Sequence, residues 1–215
     1  MLQLLRKLHA PGEVIDWARG KDLDEFWDKC ARGDWLLWFA AKFVNKQGRS
    51  PKRRIVLTAC ACAEIALRPI IENEIIEEDL EAEEEVAEDL VFLKIPSLCE
   101  KAISTTRAWA QEKAAIEDVI ETANRLNATA HLLIKDGYME EADVGYLEAA
   151  ESALAAAESA YKHPKEAAGA AYYAGESAES LICGNRIDVY WECAQIVRRR
   201  LREPNPFAGS SQTER

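Results

Sequence analysis

The sequence predicts an all-α protein, a single-domain bundle of about seven or eight helices over residues 1–202. Three observations carry that expectation. Apolar residues recur at helical spacing almost everywhere, and the alternation of a half-buried strand is nearly absent. Helix punctuation falls between the periodic segments, at Gly33, Ser50, Pro51, Pro69, Pro96, Gly137 and Pro164. Hydrophobic residues make up 48% of the 215, so the chain can bury a substantial core without staples.

The elements follow in order. A short helix is expected over Asp22 to Ala31. Gly33 breaks it, and Asp34 is placed to cap the next, DWLLWFAAKFVNK. QGRSP reads as a loop. Ser50 is a good N-cap and Pro51 a good first residue for PKRRIVLTACACAEIALR, which Pro69 ends or kinks. The glutamate-rich ENEIIEEDLEAEEEVAEDL comes next. Beyond Pro96, Ser97 and Glu100 form a capping-box pattern for LCEKAISTTRAWAQ. Further helices are expected over Ala115–Lys135, stopped by Gly137, and Met139–Tyr161, stopped near Pro164. Two more cover about Lys165–Cys183 and Arg186–Leu201, and residues 203–215 read as a disordered tail. Ala-Glu-Ser recurs at 150–152, 157–159 and 178–180. That matches no solenoid period and reads as small residues letting helices approach closely.

Residues 55–67, IVLTACACAEIAL, are apolar nearly all round when wound as a helix. Val56, Ala59, Cys60, Ala63, Ala66 and Leu67 share one face; Ile55, Thr58, Cys62 and Ile65 occupy much of the other. Such a helix is central and buried. Cys60 and Cys62 are about 200° apart on it, so they do not form a metal pair. The six cysteines sit in apolar contexts and are expected to be reduced thiols. Glu64 is the odd residue. It is either a rim glutamate paired with Arg68 one turn on, or a partner-facing carboxylate.

The net charge of −11 argues against nucleic acid as the main partner and fits a basic protein partner. No signal peptide is evident, and no apolar run approaches the ~20 residues of a membrane helix. A cytoplasmic protein without a membrane span is expected. Catalytic signatures are missing: there is no phosphate-binding glycine loop, no H-E-x-x-H and no E-x-x-H. No cofactor, metal or catalytic residue is therefore assigned. A carboxylate- and metal-dependent helical hydrolase stays as an alternative, because carboxylates are plentiful.

The acidic stretch is more informative. As a helix, Ile75, Ile76, Leu80, Val86, Ala87, Leu90 and Val91 share an apolar arc. Glu74, Glu77, Glu78, Glu81, Glu84, Glu85 and Glu88 crowd the opposite face. This is either a solvated face or a carboxylate ridge that steers a basic partner. Asp34 and Glu64 are the secondary partner-facing candidates.

In order, ARGDWLLWFAAKF, RRIVLTACACAEIAL, AISTTRAWAQEKAAIEDV, AAYYAGESAES and ECAQIVRRRL resemble the immunity protein 5 family of bacterial polymorphic toxin systems. The resemblance covers roughly residues 24 to 201. Gly-Asp-Trp followed by the Cys-Ala-Cys-Ala helix is its more specific part. It implies an all-α protein made beside a toxin or effector, such as a basic nuclease, and neutralising it by binding. The stretch from about Ile70 to Pro96 departs from the family pattern as an acidic insertion, the place expected to set partner specificity. The same scaffold also suits a phage or mobile-element inhibitor of a host defence protein. Self-association through the aromatic helix stays open.

Overall fold

The helical periodicity resolves into ten α-helices and no strand among the residues that the structure, a computed structural model, describes: 1–44, 49–77, 94–135, 141–181 and 185–201. The helices are α1 (Leu2–Lys7), α2 (Gly12–Trp17), α3 (Leu23–Lys29), α4 (Gly33–Val44), α5 (Arg49–Glu77), α6 (Ile95–Ala110), α7 (Ile116–Lys135), α8 (Glu141–Tyr161), α9 (Ala167–Ser180) and α10 (Arg186–Leu201). A single 3₁₀ turn, Pro164–Glu166, links α8 to α9. Eight of the ten have seven residues or more, which matches the expected count. The two short ones, α1 and α2, precede the first helix expected from sequence. The residues of the expected tail, 203–215, lie outside those described.

Helix α5 is the centre of the bundle. It packs against α4, α6, α8, α9 and α10. Between Ile55 and Leu67, eleven of the thirteen residues are buried; Leu57 is half-buried and Glu64 is exposed. Each fully buried Leu, Ile or Val contributes roughly 1.5–3 kcal/mol of transfer free energy, so this one segment anchors much of the core. Of the end or kink expected at Pro69, the end is corrected: Pro69 lies inside α5, which runs on to Glu77. An interior proline removes one backbone hydrogen bond and crowds the preceding turn. The buried residues on both sides of it, Ile65, Ala66, Leu67 and Ile70, hold the helical path nonetheless. Residues 70–77, expected within the acidic insertion, are thus the last turns of the central helix.

Three expected caps are also corrected. Asp34 lies inside the first turn of α4, not at its N-cap. Ser50 lies inside α5, which starts at Arg49. Ser97 lies inside α6, where its hydroxyl donates back to the Lys94 carbonyl at 3.1 Å; the N-cap is Lys94, with no side-chain cap. A capping box does form at the start of α3: the Asp22 carboxylate accepts from the Glu25 amide at 2.8 Å, and the Glu25 carboxylate accepts from the Asp22 amide.

The alanine-rich region forms the tightest packing. Ala149, Ala153, Ala156 and Ala160 of α8 and Ala167, Ala170, Ala171 and Ala174 of α9 are buried. The Ser152 hydroxyl donates to the Ala170 carbonyl at 2.7 Å, and the Ser177 hydroxyl to the Gly145 carbonyl at 2.9 Å. A β-carbon on Gly169 would fall 2.9 Å from that of Ala155. Small side chains here let the two backbones approach, as the Ala-Glu-Ser repeats suggested. No helix among the described residues is long and apolar enough to cross a membrane.

Candidate functional site

The sequence candidates separate in space. Asp34 is buried at the head of α4, and both its oxygens accept from Arg32, Oδ1 from Nε at 2.8 Å and Oδ2 from an Nη at 2.7 Å. Arg32 in turn stacks on Trp35 at 4.9 Å and on Tyr190 at 4.1 Å. The guanidinium is thus held by a carboxylate in its own plane and by two aromatic faces, the arrangement arginine favours. Asp34 is consumed in positioning Arg32.

Glu64 is on the exposed stripe of α5. The expected partner one turn on is corrected: Glu64 pairs with Arg107 of α6, while Arg68 reaches Glu192 of α10 at 3.0 Å. These cross-helix pairs flank a groove of about 720 Å³ between α5 and α6, which also holds Glu72, Glu100 and Lys101. Its charges are mixed, with Arg68, Lys101 and Arg107 set among Glu64, Glu72 and Glu100. Of the proposed ridge, Glu74 and Glu77 fall on the last turns of α5, with side chains outside those described. Glu78, Glu81, Glu84, Glu85 and Glu88 lie outside the described residues altogether.

A second cleft, of about 730 Å³, has a different character. Its floor is Leu154 and Ala155 of α8 with Ala168 and Gly169 of α9. Small residues make this floor low, and the Gly169–Ala155 approach leaves it no room for a larger side chain. One wall carries Trp35 and Trp38 of α4, and the other Tyr172 and Tyr173 of α9. Glu13, Glu151, Glu158 and Glu166 converge on it from α2, α8 and the 3₁₀ turn. Arg32 is the sole basic residue among its lining, and Asp34 already neutralises it.

Glu151 is the distinctive group. It is half-buried, and it has neither a hydrogen bond nor an ion pair among the described residues. Burial pushes its carboxyl above the ordinary carboxylate value, the Glu158 charge adds to that, and His131 opposes it. Glu158 is balanced by Lys162, one turn on, and Glu166 by Lys165 at 3.8 Å. The Tyr173 hydroxyl is likewise pushed up by burial and by the Glu151 charge. A partly desolvated carboxylate with no ion-pair partner among the described residues, lining one cleft with Tyr172 and Tyr173, attracts a cation.

Sequence reasoning named neither Glu151 nor Tyr172 and Tyr173 as site residues. The signals were present. The first two Ala-Glu-Ser repeats stand seven residues apart, which places Glu151 and Glu158 on one face of α8, two turns apart. The serines of those repeats turn into the core. The repeat carries two signals at once: its small residues set the helix packing, and the acids of its first two copies line the cleft.

The described cysteines, Cys30, Cys60, Cys62, Cys99 and Cys193, are free and buried. Burial pushes the Cys30 thiol up to about 11 and the Cys60 thiol up to about 12. Among the described residues no three His, Cys, Asp or Glu side chains stand together as a metal site requires. On the outer face of α10, Ile187 and Trp191 sit one turn apart and are 66% and 55% exposed, an apolar pair of the kind that anchors interfaces.

No family model matches the chain, and neither the curated proteins nor the solved structures give a match.

Proposed function

We propose that this chain is an immunity-type protein, a non-enzymatic inhibitor that binds and neutralises a cognate toxin or effector with a basic surface. The observation that carries the reading is the concave surface between α4, α8 and α9. It gathers carboxylates and aromatic rings, and its one cation is internally compensated. Such a surface is built to bind positive charge. The net charge of −11 supports the same polarity, because long-range attraction speeds encounter with a basic partner. The ordered segments that resemble immunity protein 5, from ARGDWLLWFAAKF to ECAQIVRRRL, support the biological setting. The glutamate-rich sequence from Glu74 to Glu88 adds charge of the same sign and is the proposed source of partner specificity.

The test is co-purification with the protein encoded beside this chain. The reading predicts a stable complex whose association slows several-fold between ~50 and ~500 mM salt, as the screening length shrinks. A neighbour that does not bind, or binds at a rate indifferent to salt, contradicts it.

A further inference from the structure

The cleft between α4, α8 and α9 has a specific chemistry beyond its sign. On one wall, Arg32 shows how this protein holds a guanidinium, with Asp34 in its plane and Trp35 on its face. Trp38 carries the Lys42 ammonium at 5.1 Å in the same manner. The opposite wall repeats the ingredients without the cation. Tyr172 and Tyr173 meet edge to face at 5.3 Å and 76°, and Tyr172 is 40% exposed. Among the described residues neither ring carries a cation on its face, and Glu151 of α8 lines the same cleft, its charge acting on Tyr173, without an ion-pair partner among the described residues.

We propose that Glu151, Tyr172 and Tyr173 form a receptor for one basic side chain, an arginine or lysine, presented by a protein partner. The inference rests on the binding reading above and names its anchor point. The volume, about 730 Å³, exceeds what a single side chain fills and accommodates a short extended segment around it. The occupant is a segment of a protein and not a free amine, because the cleft is larger than one cation and carries a second carboxylate without an ion pair among the described residues, Glu13 of α2, beside Glu151 of α8.

The experiment uses the full chain and two probes, an acetylated tetra-arginine peptide and free spermidine, in calorimetric titrations. The variants are Glu151→Gln, Tyr172→Ala and, as a control in the other groove, Glu64→Gln. The proposal expects the peptide to bind, with affinity reduced about tenfold by Glu151→Gln and several-fold by Tyr172→Ala. Glu64→Gln should leave it unchanged. Equal losses in all three variants would reduce the effect to diffuse charge and overturn the proposal. Spermidine binding as tightly as the peptide would overturn the protein-segment assignment. Failure here is separable from failure of the immunity reading. If the neighbouring protein binds the wild type and Glu151→Gln equally well, the receptor falls and the immunity reading stands. If the neighbour does not bind but the peptide still discriminates Glu151→Gln from Glu64→Gln, the receptor stands alone.

Discussion

A β-carbon placed on Gly33 would lie 2.4 Å from the Cβ of Cys193 and 2.9 Å from the Ala194 amide nitrogen. Helix α10 therefore crosses directly over the start of α4. The contact fixes the level at which Arg32 meets Tyr190, and so sets the compensated wall of the cleft. Gly33→Ala pushes against backbone and cannot be relieved by a rotamer change. It should destabilise the fold by about 2 kcal/mol or more, the cost of overpacking a close helix crossing. Urea unfolding checks this through a lower midpoint at an unchanged slope.

Asp34 and Glu64 should behave differently. Asp34→Asn leaves the Arg32 guanidinium in a half-buried site without its counter-charge, at a cost of about 1–3 kcal/mol. Glu64→Gln breaks a pair whose two side chains are 46% and 34% exposed, and should cost under about 1 kcal/mol. Equal costs in thermal unfolding would contradict the assignment of Asp34 as the positioning residue.

Glu151 links the cleft to stability. Its carboxyl is raised in the folded protein, with burial the leading cause; Glu158 of α8 and His131 of α7 face it, and Tyr173 of α9 feels its charge. The folded state thus holds this proton more tightly than the unfolded state does. The corresponding stability is fully present below the unfolded pKa and is lost as pH rises through the folded one. Glu151→Gln removes that loss. The variant should melt about 1 °C or more above wild type at pH 7, and the gap should close below the ordinary carboxylate range. A gap that persists unchanged in acid would mean that the gain has another origin.

The thiols provide an independent check on the core. In a Cys183→Ser background five cysteines remain, and all five are buried and free. Their access to solvent requires unfolding, and burial disfavours their thiolates. A chromogenic disulfide reagent at pH 8 should therefore count close to no thiols in the native protein and all five in denaturant. Rapid reaction of the native protein would contradict the buried arrangement.

The fold was legible in the sequence where pattern and packing agree. IVLTACACAEIAL has one long polar residue, Glu64, and that residue alone is exposed in the segment. Arg186–Leu201 was bounded correctly, because its apolar periodicity starts just after Arg186 and runs to Leu201, which is buried. Local rules failed where tertiary contacts outweigh them. Pro69 reads as a stop or a kink, and the stop fails because the buried residues around it carry α5 through. Gly33 reads as a breaker, yet it starts α4 and is small because Cys193 needs the space. Arg68 is the nearest cation to Glu64 along the helix, and a partner 43 residues away took the place instead. The cleft was hardest to foresee. Its walls come from α4 and α9, more than 130 residues apart in the chain, and periodicity carries no information about which helices meet.

The activity proposed for this chain is neutralisation of a harmful basic protein by binding. Growth of cells expressing the protein encoded beside it, with and without this chain, tests that most directly. The account predicts growth arrest by the neighbour alone and recovery when wild-type chain is co-expressed. A neighbour that leaves growth unaffected, or arrests it whether or not this chain is present, would contradict the account.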